Sequence, residues 1–411
     1  AAAYSLRKVK ASYAEDAVRI RRTSDSTEVD VAFDSDDKVS SSSAVTNVAE
    51  QGGESGSTTA TDLNGFLNEE HDITNTSSSL NNKSVSGVQG TVTDATFNSI
   101  DFTVTVLEKS GGAATTNMWL FKSENHNQPS IGKIRISLDC THFDFENGGT
   151  VKLQPLYDHD GDGSNSYANA ISIDGTGSYS VEIDLTTRQT TQAFRFFKGD
   201  AAVGDRIRIE NLKIESLKSM ATVHTWYDQG GSNDATQTTA ANQPVIAENG
   251  VLLTDGLSFD GDLFLQKTTT DTTTAASIFG VHTKGTSAAS NARPVGYQEG
   301  NATGTNSLAF AMDNTLRFDG TATSAGSQTI PTSGLFLSTT IKVSNTEANH
   351  FLNSVSNISN SSLTLGDTDV RFSLGFANTT PEYTFDGNIK EAIFYTSDQS
   401  DNRFKIESNI N

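Results

Sequence analysis

Two stretches, "KIRISLDC" at residues 133–140 and "DRIRIENLKIESLK" at 205–218, alternate apolar with polar residues for many positions in succession. A strand sends successive side chains to opposite faces, so this period of two gives an extended chain one dry face and one wet face. A helix needs a period near 3.6, and no segment supplies one convincingly. Six more stretches between residues 63 and 218 read the same way: "DFTVTVLEK", "MWLFKS", "TVKLQPLY", "AISIDG", "SYSVEIDL" and "AFRFFKG". Gly, Asn and Asp stand between them as turn formers. Eight such strands predict a two-sheet jelly roll.

The pattern resumes after residue 220 in "GVLLTDGLSFDGDLFLQ", "ASIFGVHTK", "NSLAFAMDN", "TLRFDG", "LFLSTTIKV", "VRFSLGFAN" and "YTFDGNIKEAIFYTS". One short helix is expected after Ser397. At the other end, Val18 and Ile20 alternate with Arg19 and Arg21, and Val29 and Val31 with Asp30 and Ala32. These are two strands joined by the turn "TSDSTE", too few to be stable without a larger sheet. Lys10, Arg19, Arg21 and Arg22 make this end locally basic, which is read as charge balance across strand faces. Residues 39–62, "VSSSSAVTNVAEQGGESGSTTATD", have almost no large apolar side chains to offset ordering entropy and are expected to be a linker. No repeat of fixed period runs through the chain, which disfavours a solenoid or propeller.

The 29 basic and 50 acidic residues leave a formal charge of −21, which repels nucleic acid and anionic membrane surfaces. No run of 18 apolar residues exists to span a bilayer. The opening "AAAYSLRKVK" lacks the apolar core of a signal peptide, and its first residue is not Met, as in a processed or partial chain. Cys140 is the single cysteine and sits at an inward position of its strand, so no intrachain disulfide forms.

Taken together, "AYSLRKVKASYAEDAVRIRRTSDSTEVDVAF", "TWYDQGGSNDATQ…QPVI", "LSFDG" and the late "FDGNIKEAIFY" resemble the concanavalin-A-like β-sandwich of α-L-arabinofuranosidases of glycoside hydrolase family 54. The same series of motifs resembles laminin-G-like modules of phage structural proteins. The resemblance covers residues 1–38 and 220–411 and implies one discontinuous sandwich. Residues 63–219 would then be an inserted jelly roll like a carbohydrate-binding module. The expected fold class is all-β, with two antiparallel β-sandwich domains, one inserted into the other. A long insertion between two elements is tolerated because closing a longer loop costs little extra entropy.

For function, the resemblance implies a virion surface structural protein, such as a fibre, decoration or tail component, binding glycans for attachment. It also implies homo-oligomers, often trimers, anchored to other virion proteins. The alternatives are an extracellular arabinofuranosidase-type hydrolase and a bacterial surface adhesin. Retaining hydrolysis needs two carboxyl groups about 5–5.5 Å apart. In the segment similar to the hydrolases' first catalytic stretch, "NARPVGYQEGNATG", Glu299 is the only acid; in the second, Ala377 stands where the acid belongs, with Glu382 nearby. No catalytic residue is therefore assigned, and the protein is expected not to be an enzyme. The seven His residues are dispersed and show no paired metal-ligand spacing.

Candidate glycan contacts are Trp226, Tyr227, Asp228, Glu299, Trp119 and Tyr157, with Tyr167 and Phe197 as further aromatics. For Trp226 to Asp228 a scaffold role competes with sugar binding: indole and phenol rings pack cores as readily as they stack on sugars. "YDHDGDGSNSY" places Asp158, Asp160 and Asp162 at alternate positions before Gly163, a spacing that lets carboxylates converge on calcium. Asn169 stands where an EF-hand has its bidentate Glu, and an acidic hairpin tip is the other reading.

Overall fold

A computed structural model describes residues 1–24, 26–48, 58–69, 71–72, 85–86, 88–95, 100–107, 109–110, 113–114, 118–122, 132–157, 166–185, 193–267, 272–285, 292–297, 308–318, 321–363, 365, 368–369, 372–375 and 385–410. The described elements are overwhelmingly strands in antiparallel sheets. The chain divides into two compact units. The first comprises residues 1–21, 27–66 and 221–411, and the second 22–26 and 67–220. In sequence, the second therefore interrupts the first.

The second unit is a sandwich of two six-stranded sheets. Gly132–Asp144 is central to one sheet, pairing Gly177–Leu185 on one edge and Arg206–Ser219 on the other. In the opposing sheet Val151–Tyr157 pairs with Ala193–Lys198, which in turn pairs with Met118–Lys122. Ile134, Ile136, Leu138 and Cys140 project from one face and meet Val151, Leu153 and Phe196 in a single core. The alternation in "KIRISLDC" is the cause: every second residue there is apolar, so one face of the strand is dry. Burial pushes the Cys140 thiol up to about 11, and the thiol donates to the His142 carbonyl at 3.3 Å. A bulge between Ser137 and Asp139 shifts the register against Arg206–Ser219, where the alternation in "IENLKI" also slips.

In the first unit, Phe385–Tyr395 is the central strand of one sheet. Ala276–His282 runs along one side, with Ile278 opposite Phe394. The other side is shared: Leu257–Gly261 pairs the first half and Ala2–Ser5 the second. Phe336–Ser344, Glu347–Leu352 and Val355–Asn360 extend the sheet outward. A second succession begins at Ala221–Trp226, paired with Ala235–Thr236, and continues through Leu265–Lys267, Phe372–Leu374, Val295–Tyr297 and Leu308–Ala311. Gly256 has φ +103, and a β-carbon there would collide with the backbone carbonyl of Ile389, so the chain can turn into Leu257–Gly261 only with glycine.

Helix Arg403–Ile410 lies on the outer face of this sheet. Its Ile406 and Ile410 pack with Ala3, Phe279, Val281, Leu337 and Ile393. Arg403 is held by Glu407 at 2.8 Å and stacks on the Phe351 ring at 3.8 Å.

Two expectations change. Residues 39–62 are not a plain linker: Val45–Asn47 pairs with Glu28–Val31, and Ser43 and Thr58 are buried in the first unit. Small hydroxyl side chains satisfied by local hydrogen bonds can be buried without any large apolar group. Apart from the short segment 22–26, the second unit is contributed from Leu67 onward, and residues 39–66 belong to the first. Leu63–Asn68, assigned by sequence to the start of the jelly roll, is a short helix, with Leu63, Phe66 and Leu67 buried.

Candidate functional site

The segment "TWYDQGG" is a lock on the N-terminal strand. Trp226 ends the strand Ala221–Trp226 and is fully buried, its ring 6.0 Å from that of Tyr4. It has no face to offer a sugar, which corrects its place among the glycan candidates. Five of the six residues of this strand are buried, Trp226 among them. Tyr227 is half-buried and donates its hydroxyl to Asp30 at 2.6 Å, while Arg19 grips the same carboxylate through two contacts at 3.0 Å. Burial and that carboxylate raise the Tyr227 phenol well above its ordinary pKa. Arg19 is thus balanced across the hairpin, as its strand position suggests, and Arg22 is paired with Glu69 at 2.8 Å.

Asp228 is 1% exposed and belongs to the backbone, not to a ligand. Its Oδ1 accepts from the Ala3 and Gly230 amides at 2.8 and 2.7 Å, and its Oδ2 accepts from the Asn233 amide at 3.0 Å. A carboxylate accepting three N–H groups organises a loop in the way a helix cap organises a helix end. Gln229 does the same for the next stretch. Its Oε1 accepts from the Val9 amide at 2.7 Å, and its Nε2 donates to the carbonyls of Ser5 and Arg7 at 3.0 and 2.9 Å.

The lock shapes one wall of a cleft of about 730 Å³, in the range typical of ligand pockets. Gln229 holds residues 5–9, and Val9 and Lys10 line the cavity together with Gln229 and Gly230. The cavity is also lined by the end of the last strand, carrying Ile393 and Tyr395, followed by Gln399, Asn402 and the helix residues Lys405 and Asn409. Arg7 clamps the walls together: it contacts Glu391 at 2.9 Å and donates to the Asn409 carbonyl at 2.6 Å. Burial holds the Glu391 carboxyl above its usual range despite Arg7 and Ser5, which pull it down. Tyr395 is braced from behind by Phe279, edge to face at 6.1 Å, and partial burial raises its phenol. The cleft combines an apolar floor, one braced aromatic ring, side-chain amides and two ammonium groups. That set can hold a polyhydroxylated ligand by hydrogen bonds and ring packing.

The other candidates fall elsewhere. Trp119 lies in Met118–Lys122, in register with Phe197 and Ser86, and Tyr157 ends Val151–Tyr157 opposite Ser166. Both are in the second unit, whereas Trp226 is in the first. Glu299, Ala377, Glu382, Asp158, Asp160 and Asp162 lie outside the described residues. Among the described residues no group of three or more His, Cys, Asp or Glu side chains is placed to hold a metal. The cleft residues were missed because they come from three separate stretches. The one available signal was Lys10, singled out as basic but read as part of a balanced hairpin.

No family model matches the chain, and no curated protein matches it. Among solved structures it is similar to the N-terminal CBM22-1–CBM22-2 tandem domain of Xyn10C from Paenibacillus barcinonensis. That comparison covers 80% of this chain and 97% of the other at 9% identity, with a TM-score of 0.25.

Proposed function

We propose that the protein is a glycan-binding component of a virion surface, such as a fibre, decoration or tail component, and that the cleft of the first unit holds the sugar. The observation that carries the binding reading is the make-up of that cleft. Tyr395 is braced by Phe279, Asn402 and Asn409 line the cavity with side-chain amides, and Gln399, held by Ser397 and Asn402, fixes the segment that carries Asn402. Sugar hydroxyls are both donors and acceptors, so amides match them better than single charges do. The virion setting is supported by the resemblance of the N-terminal, "TWYDQGG" and "FDGNIKEAIFY" motifs to phage laminin-G-like modules, and by the acidic surface. Assembly as a homo-oligomer, often a trimer, anchored to other virion proteins belongs to the same reading. Asp158, Asp160 and Asp162 supply calcium ligands to the second unit in this reading, by their alternate spacing.

The test is a glycan array probed with the purified chain, with and without chelator, beside Tyr395→Ala. Binding that falls about tenfold or more in Tyr395→Ala, as expected on loss of a stacking ring, supports the cleft. Loss on chelation supports the calcium ligands. Release of free sugar from arabinoxylan would replace the reading with hydrolysis and make Glu299 the first residue to change.

A further inference from the structure

We propose that the cleft selects an anionic glycan, whose carboxylate or sulfate groups lie against Lys10 and Lys405. This rests on the glycan-binding reading above and names its ligand class.

Positive charge is scarce in this acidic protein. Acidic residues outnumber basic ones 50 to 29, and several cations are neutralised by a carboxylate within 4 Å. Arg7 meets Glu391, Arg19 meets Asp30, Arg22 meets Glu69, Arg206 meets Asp101 and Arg403 meets Glu407. Lys10 and Lys405 behave differently. Both are exposed, and among the described residues neither ammonium makes a hydrogen bond or ion pair. They arise from opposite ends of the chain and face one cavity.

The carboxylates near this cavity do not cancel them. Asp228 is consumed by backbone amides, Glu407 is buried against Arg403, and Glu391 is held by Ser5 and Arg7. Among the described residues lining the cavity there is no Asp or Glu. Two ammonium groups at a recess with no carboxylate in its described lining raise a positive potential there, although exposed Asp398 and Asp401 flank it, while the net charge of the protein repels anions elsewhere. A neutral sugar gains nothing from that arrangement. An acidic one gains two charge-assisted hydrogen bonds and keeps the amide and Tyr395 contacts for its hydroxyls and ring.

The test measures binding of the full chain to polygalacturonate and dextran sulfate, with dextran and arabinoxylan as neutral partners, at low and high salt. The parent protein is compared with Lys10→Gln/Lys405→Gln and with a control, Lys267→Gln/Lys390→Gln, that removes two cations outside the cleft. Because Lys10 and Lys405 are exposed, their replacement leaves the thermal midpoint unchanged. The expected result is acidic-polymer binding that drops about tenfold or more in the cleft variant and in high salt, with the control close to parent. Whether polygalacturonate or dextran sulfate binds more tightly tells carboxylate from sulfate. Equal binding of neutral polymers, untouched by salt and by both lysines, overturns the inference and leaves the glycan reading standing. A loss in the control as large as in the cleft variant also overturns it, because the attraction then belongs to the whole surface. Binding to none of the four polymers removes both.

Discussion

In the second unit the apolar core surrounds few buried polar groups among the described residues, and these have partners: Asp101 takes Arg206, Gln154 donates to Asn169, Lys198 donates to the Gly199 carbonyl and Asp205 accepts from the Glu146 and Ala202 amides. In the first, strands of the same kind bury His282, Ser338, Thr340, Lys342 and His350. Register shows that these five share a face. Gly280 stands opposite Ser338, Ile278 opposite Thr340, and Thr340 opposite His350, while His282 is two residues from Gly280. The other face of Ala276–His282 carries Phe279 and Val281 toward the C-terminal helix. His282 is hemmed by the rings of Phe336 and Phe385, and both its nitrogens lack a partner among the described residues. His350 is contacted through Nδ1 by Asn357 at 3.1 Å. The lesson is that alternation alone builds a sandwich, and that the identity of the inward residues decides how its stability answers to pH.

The sharpest way to break this comparison is acid. Burial lowers the His282 imidazole to about 3, and burial with His282 nearby lowers His350 to about 3. The unfolded chain, with imidazoles near 6.5, binds more protons than the folded one between those values, so stability rises with pH there. The contribution is complete above about pH 6.5 and is lost as pH falls toward 3, on the order of 5 kcal/mol for each histidine. Glu391 works in the opposite sense, because its raised carboxyl is protonated more readily in the folded state. Calorimetry across this range is expected to show the first unit's midpoint falling more steeply with pH than the second's. There, among the described residues, only the surface Asp139 and Glu182 carboxyls are held below their usual range, and they lose a smaller contribution in acid. His282→Phe, which removes an unsatisfied buried ring, is expected to flatten that dependence by about half.

A smaller effect tests the lock. Asp228→Asn keeps an acceptor for Ala3 and Gly230 but turns an N–H toward the Asn233 amide, and costs about 1–3 kcal/mol in denaturant unfolding. Weaker glycan binding should accompany it, since the loop it organises carries Gln229 and Gly230 into the cleft wall. The smallest effect lies in the second unit. Glu182 joins Lys133 and Arg135 at 3.0 Å on an exposed face, and both cations hold its carboxyl below its usual range. Solvent screens such a pair, so Glu182→Gln should leave the melting midpoint of the second unit where it was. A clear drop would mean that this unit also depends on charge.

How far the chain alone reaches can be seen strand by strand. Each of the eight strands read between residues 63 and 218 matches a described strand, because each alternates strongly enough to dry one face. Val88–Ala95, "VQGTVTDA", was passed over: Gly and Asp interrupt its pattern, and it is held by pairing with Ile100–Leu107. Leu63–Asn68 was misread because six residues are too few for a helical period to declare itself. Local chemistry, then, determined the all-β class, the buried thiol, the hairpin of Val18–Arg22 with Glu28–Val31, and the C-terminal helix. Only the tertiary structure decided that Ser43 and Thr58 are interior. The same holds for Trp226 and Asp228 serving the N-terminal strand, and for Lys10 meeting Lys405 across a cleft. The physical reason is reach. Alternation is written between neighbours two positions apart, whereas Asp228 grips an amide 225 residues away, and nothing local in either segment encodes that meeting.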